Sequence, residues 1–406
     1  MDNQAPDVQP ASDGATPRAA NAGLGGYLRR TIFGGNAYNR AEFAGAFGDL
    51  GTFIPFVIGY ITINHIDPVG ILLSFGLFKI IVGLRFKTPV PVQPMKAIGG
   101  AAIANPAAFT HGMIVGSGLF TAVFWTVMAL TGAIEWVAKI TAKPVVRGIM
   151  VGLGLSFMLH GLEMMTQEVW LAATAMVITF LLLSNRRLPA MLALLGLGIA
   201  ASLVRNPDLI PQMAQISVRA RLPEFVLGSF SWNEMLVGAL VLGIPQVPLT
   251  LGNAILATVG ENNRLFPDRP LNTRTVALEH GFMNFVAAGI GGVPLCHGAG
   301  GMAGHVRFGA RTGGALVILG LIVLTLGLFF SDSVVLLLGL IPQAVLGVIL
   351  FIAGLELAAV VRDIGPKRAD VYVLLVTAGI AVVHIGVAFV AGLALYYATE
   401  NGLVKV

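Results

Sequence analysis

Charge is scarce in this sequence. Asp, Glu, Lys and Arg make up 11% of the 406 residues, less than half the roughly 25% typical of a soluble domain. A surface facing water on all sides cannot be built from so little, which excludes a soluble globular protein. Cysteine occurs once, at Cys296, so neither an intrachain disulfide nor a cysteine-based metal cluster can form. There is no spacing of metal ligands, no Ser/His/Asp set and no paired-aspartate motif on facing helices. These absences argue against an enzyme, a resident metal and a cofactor. The first 25 or so residues are rich in Ala, Asp, Gly, Pro and Gln and lack an apolar core. They are expected to form a disordered cytoplasmic tail, ending near residue 40, and not a signal peptide.

What is present is apolar: 56% of residues are hydrophobic and the mean hydropathy is +0.84. The length accommodates about 12 to 14 membrane spans of roughly 20 residues. Apolar runs lie at about 43–62, 68–84, 94–109, 112–134, 144–160, 168–184 and 188–204. After a more polar stretch from Arg205 to Glu224, runs follow at about 234–258, 276–291, 298–306, 313–330, 333–357, 370–381 and 383–397. The net charge of +5 does not point to nucleic acid, because Lys and Arg fall in short clusters between runs, as the positive-inside rule expects. With the N-terminus in the cytoplasm, the inner loops carry Arg85 and Lys87, Lys139 and Lys143, Arg186 and Arg187, Arg264, Arg269 and Arg274, Arg307 and Arg311, then Arg362, Lys367 and Arg368. The far-side loops 63–68, 161–169 and 331–332 carry no Lys or Arg. The exception is the long loop with Arg205, Arg219 and Arg221, and long loops follow the rule poorly.

The expected fold is therefore all-α and polytopic, with about 14 transmembrane segments and both termini cytoplasmic. Two halves with an odd number of spans must insert in opposite orientations, as an inverted repeat. The first repeat is 41–205 and the second 234–406, with an inter-repeat loop at 206–233. Weak echoes support the pairing: Gly76-Leu77-Phe78 with Gly281-Phe282-Met283, and Gly161-Leu162-Glu163 with Gly354-Leu355-Glu356.

Each half holds one apolar helix interrupted by a Pro/Gly-rich polar segment, at 88–100 and at 291–302. Paired interruptions of this kind point to a transporter site at the bilayer midplane, where half-helix N-termini face an anion. The helices are expected to restart near Met95 and Gly298, each offering free N–H donors and roughly half a positive charge. Lys96 lies in the first turn of one restarted helix, where a cation is the wrong sign for stability and implies an anion nearby. A structural ion pair with Asp49 is the alternative. Gln93 and His297 hold near-equivalent positions in the breaks, and both can donate to an oxyanion; a packing role is the alternative for His297, but its place at the break favours the site. Cys296 reads more as a small packing residue than a ligand. Gln246, Thr250 and Asn253 share one helix face, as cavity lining or interhelical glue. Asp49 is the candidate for proton coupling, against pairing with Lys96 or Arg40. Arg307 and Arg311 sit in a basic Gly-rich run, either a topology anchor or an inner-mouth element attracting the anion. Lys79, Glu163, Glu279, Glu356 and His384 are further polar residues in or beside spans.

The strings FGDLGTFIP (47–55), PVPVQPMKAIGG (89–100), PQVPLTLGNAILAT (245–258) and GGVPLCHGAGGMAGHVRFGARTGG (291–314) resemble the molybdate transporter family, a branch related to the sulfate permease superfamily. The resemblance implies the fold shared by sulfate permeases and nucleobase transporters. In that fold spans 1–4 and 8–11 form a core, spans 5–7 and 12–14 form a gate, and substrate binds between spans 3 and 10. It implies the absence of a C-terminal regulatory domain, and a homodimer is compatible with it, since dimers are common in this fold. Where nucleobase transporters place carboxylates on spans 8 and 10, Gln246 and the Cys296-His297 pair stand here, which favours an anion. The expectation is a secondary active transporter importing molybdate, with Gln93, Met95, Lys96, Gln246, Thr250, Asn253, Cys296, His297 and Gly298 around the substrate. Tungstate or sulfate could replace molybdate, and an anion channel of the same fold is the other alternative. The expected partners are the oxyanion and membrane lipid, and the expected location is a bacterial inner (plasma) membrane.

Overall fold

The computed structural model describes residues 34–104, 106–183, 185, 188 and 190–404. Helices form where the apolar runs lie. The first half contains α1 (Arg40–Ala46), α2 (Leu50–Thr62), α3 (Pro68–Phe86), the two-residue strand β1 (Gln93–Pro94), α4 (Lys96–Ala104), α5 (His111–Leu130), α6 (Lys143–Met165), α7 (Val169–Leu182) and α8 (Ala190–Arg205). The second half begins with α9, a pair of helices, Trp232–Val247 and Thr250–Leu265, bent by 51°. It continues with α10 (Thr273–Gly289), β2 (Leu295–Cys296), α11 (Ala299–Arg307), α12 (Gly314–Phe329), α13 (Gln343–Ala358), α14 (Arg368–Val383) and α15 (Ile385–Glu400).

Local chemistry sets the ends and bends. The Asp67 carboxylate accepts from the Val69 N–H at 2.7 Å and Pro68 occupies the first turn of α3, where a missing N–H costs nothing. Asn272 caps α10 through the Thr275 N–H at 2.7 Å. In α9, Pro245 and Pro248 remove backbone donors, and π-helical turns run over Ala239–Gly243 and Thr250–Ala257. Such turns interrupt the i→i−4 ladder and free side chains to point at a neighbour.

Among the described residues, three helices are individually long and apolar enough to cross a membrane, and six if each bent pair counts as one span. Two sequence expectations are corrected. The run at 333–357 is two helices, Val334–Gly339 and α13, broken before Pro342, which has no N–H to continue the first. The last part of the expected tail is anchored: the Asn36 amide donates to the Gly83 carbonyl at 3.1 Å, and the Ala37 N–H to the Thr312 hydroxyl at 3.1 Å. Residues 1–33, with Arg186 and Arg187, lie outside the described residues, as does the Glu356 side chain.

Helices from the two halves pack in exchanged pairs. The most extensive contacts are α6 on α13, α3 on α12 and α5 on α10. Small residues allow the backbones of α6 and α13 to touch. A Cβ at Gly154 would fall 2.6 Å from the Gly354 carbonyl oxygen, and one at Gly354 2.6 Å from that of Gly154; Gly161 and Gly347 repeat the arrangement at 2.7 and 2.6 Å. Close approach of this kind is how membrane helices gain packing energy without a hydrophobic driving force.

The loops also sort by side. Arg269 donates to the Lys87 carbonyl at 2.6 Å and to the Arg311 carbonyl at 3.4 Å, so three of the basic loops meet at one end. At another, Arg221 bridges Asp67 at 2.5 Å and Asp332 at 3.0 Å, while residues 219–221 lie along the end of α12. One of the three arginines that fit the positive-inside pattern poorly is thus paired with two carboxylates. Replacing Gly154 or Gly354 with leucine is expected to lower stability by about 1–3 kcal/mol through overpacking. Thermal unfolding in detergent would check this, and a melting temperature equal to wild type would contradict the close α6–α13 contact.

Candidate functional site

The two interruptions meet in the interior. β1 and β2 pair antiparallel, with Gln93 opposite Cys296 and Pro94 opposite Leu295, and the Met95 N–H extends the pairing to the Pro294 carbonyl at 3.0 Å. Neither segment has a helix partner, so each supplies hydrogen bonds to the other. Immediately after the pairing the chain turns into α4 at Lys96 and α11 at Ala299, so both half-helix N-termini start beside the strand pair.

The α9 face then supplies side chains to both ends. Gln246 Oε1 accepts from the Ala97 N–H at 2.9 Å and the Ile98 N–H at 3.4 Å. Asn253 Oδ1 accepts from the Ala299 N–H at 3.2 Å. The N–H donors expected to be free thus include three already bonded to side-chain carbonyls. Gln246 also donates to the Thr250 hydroxyl at 3.1 Å. Gln246 and Asn253 thus tie α9 to the starts of α4 and α11.

Gln93 donates to Asp49 Oδ1 at 2.5 Å and to Thr52 Oγ1 at 3.1 Å, and the Thr52 hydroxyl itself donates to the Asp49 carboxylate. The Gln93 amide lies flat on the first turn of α11: a Cβ at Gly298 would fall 2.3 Å from its Oε1, and one at Gly301 2.3 Å from its Nε2. Only glycine permits this approach. The buried Gln93 Oε1 and Asp49 Oδ2 make no hydrogen bond. Asp49 is therefore engaged with an amide and a hydroxyl, and forms no ion pair with Lys96 or Arg40 among the described residues.

The Lys96 ammonium makes no hydrogen bond and stands 4.0 Å from the centre of the Phe157 ring on α6. A desolvated cation over an aromatic face gains about 2 kcal/mol or more, which holds the side chain at the α4–α6 boundary. Met95 is fully buried in the core. His297 turns away from the helix ends: its Nδ1 lies 2.9 Å from the Pro91 carbonyl, and its ring packs edge-on against His280 and Phe86. A carbonyl accepts only, so Nδ1 carries the proton. The buried Nε2 makes no hydrogen bond, and Nδ1 is engaged with the Pro91 carbonyl and not free to donate to an oxyanion. Arg307 and Arg311 lie at and beyond the opposite end of α11, about 12 Å of helix from its N-terminus. Arg311 donates to the Val306 and Ala310 carbonyls.

Sequence reasoning missed Asn284 and Glu42. Asn284, on α10, accepts from the Leu295 N–H and donates to the Leu295 carbonyl, both at 2.8 Å, acting as a third strand beside β2. An asparagine in an apolar helix three residues after the echoed Gly281 was the available signal. The Glu42 carboxylate accepts from the backbone N–H groups of Arg311, Thr312 and Ala315, which fixes the basic Gly-rich run against α1.

A family model described as molybdate transporter of the MFS superfamily matches residues 41–157 and 238–357, which include both breaks, α9 from residue 238 onward, Asp49 and Asn284. The chain belongs to the molybdate transporter family. It is 31% identical to molybdate transporter 2 of Arabidopsis thaliana, over 91% of this chain and 89% of that one. It is 28% identical to molybdate transporter 1 of Chlamydomonas reinhardtii, over 87% and 90%. The relatives of this family member are transporters and not enzymes. They come from a plant and an alga and lend nothing to the expected bacterial membrane. The fold is similar to the transmembrane domain of a cyanobacterium bicarbonate transporter, BicA, with a TM-score of 0.54 at 17% identity over 87% of this chain and 97% of that one. It is also similar to the murine solute carrier 26 family member A9 anion transporter in the inward-facing state, with a TM-score of 0.61 at 12% identity over 98% and 78%. The chain is an integral membrane protein of this transporter fold.

Asn284→Leu would leave the Leu295 N–H and carbonyl unpaired in the interior, at a cost of about 1–3 kcal/mol for each buried group. A melting temperature unchanged from wild type would contradict the role of Asn284 as a support for β2.

Proposed function

We propose that this transporter imports molybdate by secondary active transport, holding the oxyanion between the N-termini of α4 and α11. The observation that carries the reading is the β1–β2 pairing, which starts two half-helices beside one another with Gln93, Gln246 and Asn253 at their ends. Helix N-termini favour anions through free donors and the helix dipole. The oxygens of Gln246 and Asn253 hold the positions that substrate oxygens would take over. Lys96 adds a cation without a hydrogen-bond partner at the same end, and Gly298 lets the Gln93 amide lie against the start of α11. Met95, Thr250, Cys296 and His297 support the breaks from behind.

The proposed topology has fourteen membrane segments, with repeats 41–205 and 234–406 joined by 206–233 and both termini in the cytoplasm. The exchanged packing of α3 on α12 and α5 on α10 is what an inverted repeat requires, and the clustering of basic loops supports the orientation. The core would comprise α1 to α5 and α9 to α12, and the gate α6 to α8 and α13 to α15. The core would move against the gate, with the Lys96–Phe157 contact on the boundary between them. Asp49 is the proposed proton-coupling group, because its carboxylate orients Gln93 and its second oxygen makes no hydrogen bond. Arg307 and Arg311 are proposed to draw the anion to the inner mouth. A homodimer is the proposed assembly, by likeness of fold alone.

In proteoliposomes, molybdate uptake is expected to saturate, to follow a proton gradient and to fall at least about tenfold in Lys96→Ala, the scale of one lost charge-assisted interaction. Uptake that neither saturates nor follows a gradient would favour a channel. Equal affinity for sulfate would make the protein a general oxyanion carrier. Wild-type kinetics in Lys96→Ala would remove that residue from the site.

A further inference from the structure

The two breaks are held by equivalent latches of unequal charge. Val92 lies four residues before the start of α4 at Lys96, and Leu295 four residues before the start of α11 at Ala299. The Val92 carbonyl accepts from Lys79 Nζ at 2.6 Å, and the Leu295 carbonyl accepts from Asn284 Nδ2 at 2.8 Å. Lys79 follows Gly76-Leu77-Phe78 and Asn284 follows Gly281-Phe282-Met283, the same position in helices that precede the two breaks. One geometric task is therefore done by an ammonium in one half and by a neutral amide in the other.

An amide suffices to hold the carbonyl, so the lysine carries a charge that the latch does not need. Lys79 is fully buried and stands over the Phe53 ring at 4.9 Å and the Phe75 ring at 6.0 Å, contacts that favour the cationic form. It forms no ion pair among the described residues. With Lys96 and Asp49 it leaves one excess positive charge around the breaks. A fixed buried cation attracts an anion in proportion to the anion's charge and is weakly screened by salt.

We propose that Lys79 is a specificity-determining residue that selects doubly over singly charged oxyanions, acting through space and through its hold on the residue before Gln93. This rests on the reading of the half-helix ends as the oxyanion site. Lys79→Gln keeps an amide donor of the kind the second repeat uses and removes the charge.

The test compares molybdate, a dianion, with perrhenate, a monoanion on the same tetrahedral frame, by calorimetry on the detergent-purified full chain. For a unit charge roughly 10 Å away at an effective dielectric near 20, the loss is on the order of tenfold per negative charge on the ligand. Lys79→Gln is thus expected to weaken molybdate about a hundredfold and perrhenate about tenfold, shifting their ratio about tenfold. Lys79→Met, which removes the charge on an unbranched side chain of similar length, is expected to shift the ratio the same way and decides the matter if Lys79→Gln does not fold. An unchanged ratio in a variant that folds, with wild type binding molybdate, overturns the role of Lys79 alone. Wild type binding neither anion overturns the oxyanion site itself and this proposal with it.

Discussion

A backbone that leaves the helix inside a bilayer must find new partners for every N–H and carbonyl it frees. Most of what surrounds the two breaks follows from that constraint. The segments pair with each other, Gln93 opposite Cys296. Their outer carbonyls take Lys79 and Asn284 from the preceding helices, and the Pro91 carbonyl takes His297. The exposed helix starts take Gln246 and Asn253 from α9. Removing any one of these supports strands a polar group where water cannot replace the bond.

The same arrangement allows function. The groups that close the helix starts are side-chain carbonyls, neutral acceptors on long, rotatable arms, while the groups that hold the strands are backbone partners or buried latches. On the proposed reading, a substrate with four oxygens would replace the former without disturbing the latter. The π-helical turns of α9 and its 51° bend bring Gln246 and Asn253, seven residues apart, to two different helix ends. A straight α-helix would put them about 10 Å apart along one line. Among the described residues Asp49 hydrogen-bonds through its side chain to Gln93 and Thr52, and its Oδ1 lies against Gly301 in the first turn of α11.

Much of this was legible in the sequence. The breaks were visible as Pro and Gly inside apolar runs, the helix restarts as the residues after them, and the α9 face as Gln246, Thr250 and Asn253 at helical spacing. Their occurrence once in each half gave the pairing of the two breaks, and the family resemblance converged on it. What was not legible was direction: whether His297 donates to a ligand or to Pro91, and whether Asp49 pairs with lysine or with glutamine, depends on side-chain orientation, which no spacing encodes. Asn284 was missed because a lone asparagine in an apolar helix resembles ordinary interhelical glue until the strand beside it is known. The break before Pro342 was hidden by hydropathy, since an apolar turn and an apolar helix have the same composition.

The central claim is that the anion sits between the first turns of α4 and α11. Tungstate has the shape and charge of molybdate and scatters X-rays anomalously, so crystals soaked with it would locate the site directly. The account predicts one strong anomalous peak within hydrogen-bond reach of the Ala97 and Ala299 N–H groups, with Gln93 and Lys96 beside it. A peak confined to the basic end of the molecule, at Arg307 and Arg311, or no peak at the β1–β2 pairing at saturating tungstate, would contradict it.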